Sequence, residues 1–224
     1  MADVTSQGVL GAVARKNAEA GGLVPTHLSS LPPTSTSRSS RSLDISSATE
    51  GALLLVAVTA RSVQPTLAVP AGWTLLTSFD NGNSASRPYT SIYYKTAGAS
   101  ETTVVFNFSP NEYTTAVAIE IVGANTSTFD TAPDNLSNVL GVVTVPTGGI
   151  VIGVHGKGAS ADTSASTFNN GSYAILSDQF GTKISGTAVA WADLGSGDTN
   201  GTDTVDGAGT YYNTGTIHIA VQPA

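Results

Sequence analysis

The chain has 224 residues, of which 40% are hydrophobic and 11% charged; this excludes a disordered chain and suits one large sandwich or barrel with a core of its own. It holds no cysteine, which excludes disulfides, thiolate metal sites and thiol redox chemistry. The net charge is -7, and residues after 42 carry five basic against fourteen acidic side chains, so the body lacks the basic face that nucleic-acid phosphates require.

The first residues, MADVTSQGVLGAVARKNAEA, are not expected to act as a secretory signal, because Gly8, Gly11, Arg15, Lys16 and Asn17 interrupt the only apolar cluster. Over residues 5 to 20, Val9, Leu10 and Val13 fall at helical spacing behind Thr5 or Ser6 as N-cap, and Gly21-Gly22 stops the pattern, which predicts a short helix. Residues 23 to 42, LVPTHLSSLPPTSTSRSSRS, are rich in Pro and Ser and have no period, and they read as an extended arm. Residues 1 to 42 are thus expected to form an N-terminal anchoring arm. Its apolar contacts would be Leu10, Val13, Leu23 and Leu28, and its basic ones Arg15, Lys16, Arg38 and Arg41.

From residue 43 onward strands alternate with turn clusters. Strands are predicted at 52–61, 73–79, 89–96, 102–108, 114–122, 139–145, 149–155, 173–178, 186–192 and 215–222. Turns are marked by Asp80-Asn81-Gly82, Ser109-Pro110-Asn111, Pro146-Thr147-Gly148 and Asn169-Asn170-Gly171. Short strands without amphipathic helices between them predict an all-β chain, an antiparallel jelly-roll-like β-sandwich over residues 43 to 224. Trp73 and Trp191 are expected in the core; the adjacent Tyr93 and Tyr94 point to opposite faces, so at most one of them is expected there. No apolar run approaches the roughly 20 residues of a membrane span, and no membrane partner is expected.

The succession Glu50-Gly51-Ala52-Leu53-Leu54-Leu55, Pro70-Ala71-Gly72-Trp73-Thr74-Leu75-Leu76, Ile92-Tyr93-Tyr94-Lys95 with Ala99-Ser100-Glu101, and a strand ending Ile121-Val122-Gly123 resembles a β-sandwich domain that recurs in bacteriophage structural proteins and some bacterial surface proteins. The resemblance spans about residues 43 to 222 and is one of scaffold, without a chemical site. It implies a non-enzymatic virion component, made in the host cytoplasm and anchored by its arm. The expected setting is capsid decoration or a head fibre, with a tail or tail-fibre component as the other placement. Its implied partners are a major capsid or tail protein and further copies of itself. A carbohydrate-binding surface module is the alternative.

Three histidines, His27, His155 and His218, show no zinc-ligand spacing, and no G-x-S-x-G elbow accompanies the many serines. Gly153-Val154-His155-Gly156-Lys157-Gly158 departs from a Walker phosphate loop, since Val151 and Gly158 stand where Gly and Ser or Thr are required, and it reads as a strand end. Asp198, Asn200, Asp203 and Asp206 offer oxygen ligands on a Gly-rich stretch and form a candidate calcium site. Tyr211 and Tyr212 are the candidate sugar-stacking aromatics.

Overall fold

The computed structural model describes residues 22–33, 36–61, 66–80, 88–135, 138–158, 166–169, 172–179, 185–199, 201, 203–206 and 214–224. Among them are seventeen strands and no helix: β1 (Pro25–Leu31), β2 (Arg38–Asp44), β3 (Leu53–Ala60), β4 (Thr66–Ala68), β5 (Thr74–Asp80), β6 (Tyr89–Thr96), β7 (Thr103–Glu112), β8 (Thr114–Ile121), β9 (Ala124–Asn135), β10 (Thr144–Val145), β11 (Ile150–Lys157), β12 (Thr167–Asn169), β13 (Ala174–Gln179), β14 (Gly186–Ala192), β15 (Gly197–Asp198), β16 (Thr204–Asp206) and β17 (Thr214–Pro223). The chain is all-β with antiparallel sheets. The helix expected at 5–20 lies outside the described residues.

Three principal sheets stack as layers. A central sheet has the order β1-β8-β3-β6-β5, a rear sheet the order β13-β14-β11-β17-β9, and a small sheet the order β2-β7-β4. Central and rear sheets pack through Leu53, Leu55, Val117, Ile119, Ile152, Val154, Trp191, Ile217 and Ile219. The opposite face of the central sheet meets the small sheet through Leu54, Val56, Trp73, Tyr93, Val104 and Phe106. The rear sheet's outer face is covered in turn by Leu140, Val143, Val145, Phe168 and Val205.

This layering explains the sequence patterns. β3, LLLVAVTA, is buried at every position because both its faces are covered, so its residues run apolar without alternation. In β7 Val104, Phe106 and Phe108 are buried while Thr103, Val105 and Asn107 are exposed, as expected of a strand with one solvated face. Tyr93 packs at 5.4 Å on Phe106 and Tyr94 at 4.9 Å on Phe129 of the other layer. The two tyrosines do point to opposite faces, but both are packed, because sheet covers each side.

Residues 23 to 42 correct the expected arm. β1 pairs antiparallel with β8 from Pro25↔Ile121 to Leu31↔Ala116, and β2 pairs with β7. The boundary at 42/43 therefore falls inside β2. These strands lack a hydrophobic period because they are edges held by backbone hydrogen bonds, where Pro is tolerated as a first residue. Predicted strand 139–145 shrinks to β10 with an isolated bridge at Val139. Register shifts interrupt the pairing of edge strands β1, β2, β5, β9 and β13, and β4 has only three residues. Such interruptions disfavour edge-to-edge association.

The interior changes character along its length. At one end Leu53 and Ile121 oppose Ile150 and Val221; at the other the inward positions are Thr59, Thr90, Thr115 and Thr187, all fully buried. Thr59 and Thr90 hydroxyls lie 3.0 Å apart within the central sheet, and Thr115 and Thr187 hydroxyls 2.7 Å apart across the two sheets. Opposite them stand Gly156 and Gly215. A Cβ on Gly156 would lie 2.0 Å from Thr90 Oγ1, and one on Gly215 2.5 Å from the Phe79 ring, so both must lack side chains.

Candidate functional site

Strand alternation places His155 and Lys157 of β11, and Thr216 and His218 of β17, on the rear sheet's outer face, away from the central sheet. An exposed sheet face would leave them in water. Here the covering layer buries all four, with Lys157 3% and His218 0% exposed. Buried polar groups need partners, and two networks supply them.

In the first, Lys157 Nζ donates to Asp178 Oδ1 of β13 at 3.3 Å, reaching across β14. The crossing is made over Gly186, where a Cβ would lie 3.1 Å from Lys157 Cδ. The Ser166 backbone N–H donates to Asp178 Oδ2, and Ser166 Oγ lies 3.1 Å from His155 Nδ1. His155 Nε2 is buried without a hydrogen-bond partner. Burial, followed by the nearby Lys157 charge, pushes the His155 imidazole down to about 3, so it stays neutral. Burial also lowers the Lys157 ammonium, against the opposing pull of Asp178.

In the second, His218 Nδ1 lies 2.8 Å from the Gly141 carbonyl, which can only accept, so this nitrogen carries the proton. Nε2 of the neutral ring is then an acceptor, 2.9 Å from Tyr173 Oη, which also lies 3.2 Å from Asp203 Oδ2. The single phenolic proton can be donated to only one of these two acceptors at a time. Burial lowers the His218 pKa, opposed by Gly141, Asp203 and Asp130, and burial with Asp203 raises that of Tyr173. The network fastens residues 141, 173 and 203 of the covering layer to β17.

The residues anticipated from sequence are dispersed. Leu10, Val13, Arg15 and Lys16 lie outside the described residues, as do Asn200, Tyr211 and Tyr212. Leu23 is buried in the core between central and rear sheets, and Leu28 packs against the core under the small sheet. Arg41 donates to the carbonyls of Thr114 at 2.9 Å and Pro32 at 3.0 Å. These three are therefore engaged within the chain, because the segment carrying them is sheet; Arg38 remains exposed on β2. Asp198 is exposed on β15 and accepts from Thr144 Oγ1 at 2.7 Å, whereas Asp203 is buried beneath Tyr173. Asp206 ends β16. Among the described residues no three His, Asp or Glu side chains are grouped to hold a metal ion.

A shallow groove of ≈ 160 Å³ opens between β9, β10 and β17, lined by Thr128, Phe129, Asp130, Thr144, Pro146, Ala220 and Gln222. Asp130 Oδ2 accepts the Thr144 N–H there at 2.7 Å. The half-buried Phe129 ring packs against Tyr94 and against the edge of the core.

Sequence reasoning passed over the Lys157, His155, Ser166 and Asp178 network. One signal was available: two titratable residues, two apart, on one face of a strand otherwise built of Ile, Val and Gly. No protein-family model, curated protein or solved structure matches the chain.

Proposed function

We propose that this is a non-enzymatic structural protein of a bacteriophage virion, a capsid decoration or head-fibre protein anchored by its N-terminal residues and displaying the sandwich outward. Its partners would be a major capsid or tail protein and further copies of itself. One observation carries the reading. Leu23 packs against Gly123, and Ala224 donates to the Gly123 carbonyl at 2.9 Å, so the chain enters and leaves the sandwich at the same end. Strand ends Ala60, Asp80, Tyr89, Lys157, Gly186 and Thr214 gather at the opposite end. A body tethered at one pole and presenting its connections at the other suits attachment through residues 1–21.

The order of the first eight strands supports the same reading. β1-β8-β3-β6 in the central sheet faces β2-β7-β4 in the small one, and successive strands cross between the two except at the β5–β6 hairpin. We read that interleaving as jelly-roll-like, with β5 kept on the central sheet and the rear sheet as an added layer; the jelly roll is a scaffold of viral capsid and lectin domains. Fold alone assigns no role.

The test is attachment to particles stripped of the native protein. The chain carrying Leu10→Asp and Val13→Asp should lose co-sedimentation while keeping the wild-type melting curve. Full occupancy by that variant would move the interface onto the sandwich. The groove beside Asp130 and Gln222 favours a second reading, a carbohydrate-binding surface module. Glycan-array binding lost on Asp130→Ala and Gln222→Ala would select it over the virion reading.

A further inference from the structure

The Lys157 network is sealed from substrates, so any chemistry it performs must be on itself. Lys157 Nζ is held 3.3 Å from Asp178 Oδ1, in ion-pair contact with the carboxyl group whose carbon, one bond from Oδ1, a free amine would attack. The two side chains are 3% and 11% exposed. Gly186 clears the path between them, and the Ser166 N–H is aimed at the other carboxyl oxygen. His155, on the same face as Lys157, keeps Nε2 without a partner.

We propose that Lys157 and Asp178 condense into an intramolecular isopeptide bond that ties edge strand β13 to central strand β11. Nζ first passes a proton to Oδ1, giving an amine and a carboxylic acid. The nitrogen lone pair then forms the bond to Cγ as the C=O electrons move onto Oδ2, where the Ser166 N–H stabilises the developing charge. The second nitrogen proton passes directly to the Oδ1 hydroxyl, the oxygen that Nζ already faces at 3.3 Å. The Cγ–Oδ1 bond breaks, the carbonyl re-forms at Oδ2, and one water leaves. The products are one secondary amide and one water, and no oxidant or cofactor enters. The lowered basicity of the buried Lys157 assists by favouring the free amine. In a chain without cysteine, this bond is a covalent staple.

The full chain, purified and denatured, is measured by intact mass spectrometry and peptide mapping. The expected mass is one water below that of the sequence. Trypsin should fail to cut after Lys157, and cleavage before Asp162, inside the closed loop, should leave two chains joined through residues 157 and 178. Lys157→Met and Asp178→Ala should both restore the full mass, while Asp178→Asn should give the same cross-link with loss of ammonia. Folded wild-type protein that keeps its full mass after prolonged incubation, and is cut normally after Lys157, overturns the proposal. So does a water loss that persists in Lys157→Met. Should the variants fail to fold, the joined peptides of the wild type decide alone.

Discussion

The hydroxyl pair formed by Thr115 and Thr187 offers a sharp test of how the two main sheets are held in register. Both residues are 0% exposed, and their oxygens lie 2.7 Å apart across the interface. Replacing either by Val keeps the shape but leaves the other hydroxyl buried without that partner, at about 1–3 kcal/mol. For a chain of this size each kcal/mol lowers Tm by about 2–4 °C, so each single variant should melt about 2–12 °C below wild type. The double variant removes both polar groups together and should be close to neutral, because no orphaned hydroxyl remains. The two single losses should then exceed the double loss by at least about 2 kcal/mol, far outside the roughly 0.5 kcal/mol expected of independent sites. Urea and thermal unfolding of the four proteins measure the cycle. Additive losses would mean that the hydroxyls are satisfied elsewhere and that the cross-sheet bond does not hold the sheets together.

Gly156→Ala puts a Cβ 2.0 Å from Thr90 Oγ1 and 2.8 Å from Phe79, and should cost about 2–3 kcal/mol, whereas Gly98→Ala, with its nearest contact at 3.5 Å, should cost under about 1 kcal/mol in the same melt. Deleting residues 1–21 should leave a cooperative transition, while deleting 1–42 removes β1 and most of β2 and should abolish it by circular dichroism; a cooperative melt of the shorter chain would refute the edge-strand roles of β1 and β2. Arg41→Met removes donors to Thr114 and Pro32 and should destabilise by about 1–2 kcal/mol in urea. His155 is held neutral, its pKa depressed from 6.5 to about 3, so the unfolded chain binds the proton first as pH falls. Stability present above pH 6.5 should drain away toward pH 3, by up to about 5 kcal/mol from this group, and His155→Gln should flatten that part of the urea-midpoint profile. An unchanged slope in the variant would show that His155 is not buried as described.

The central strands were legible because burial leaves a chemical mark. β3, β6, β8, β11, β14 and β17 carry dense apolar residues, and their predicted bounds fall within two residues of those observed. Trp73 and Trp191 were expected in the core and lie there. The edge strands left no such mark: PTHLSSL and RSSRSLD pair through backbone groups that every residue owns, so the segment read as an arm is sheet. β9, with Ala124-Asn125-Thr126 and Pro133, was missed for the same reason. The candidate sites show the same division. His155 and Lys157 were visible two positions apart, but Ser166 and Asp178 are brought to them by a crossing over β14 that no local spacing encodes. Composition and alternation report which residues avoid water, a property each residue carries with it. Which polar groups meet, and which face of a sheet receives a second layer, depends on chain crossings between distant segments, and the folded arrangement alone decides them.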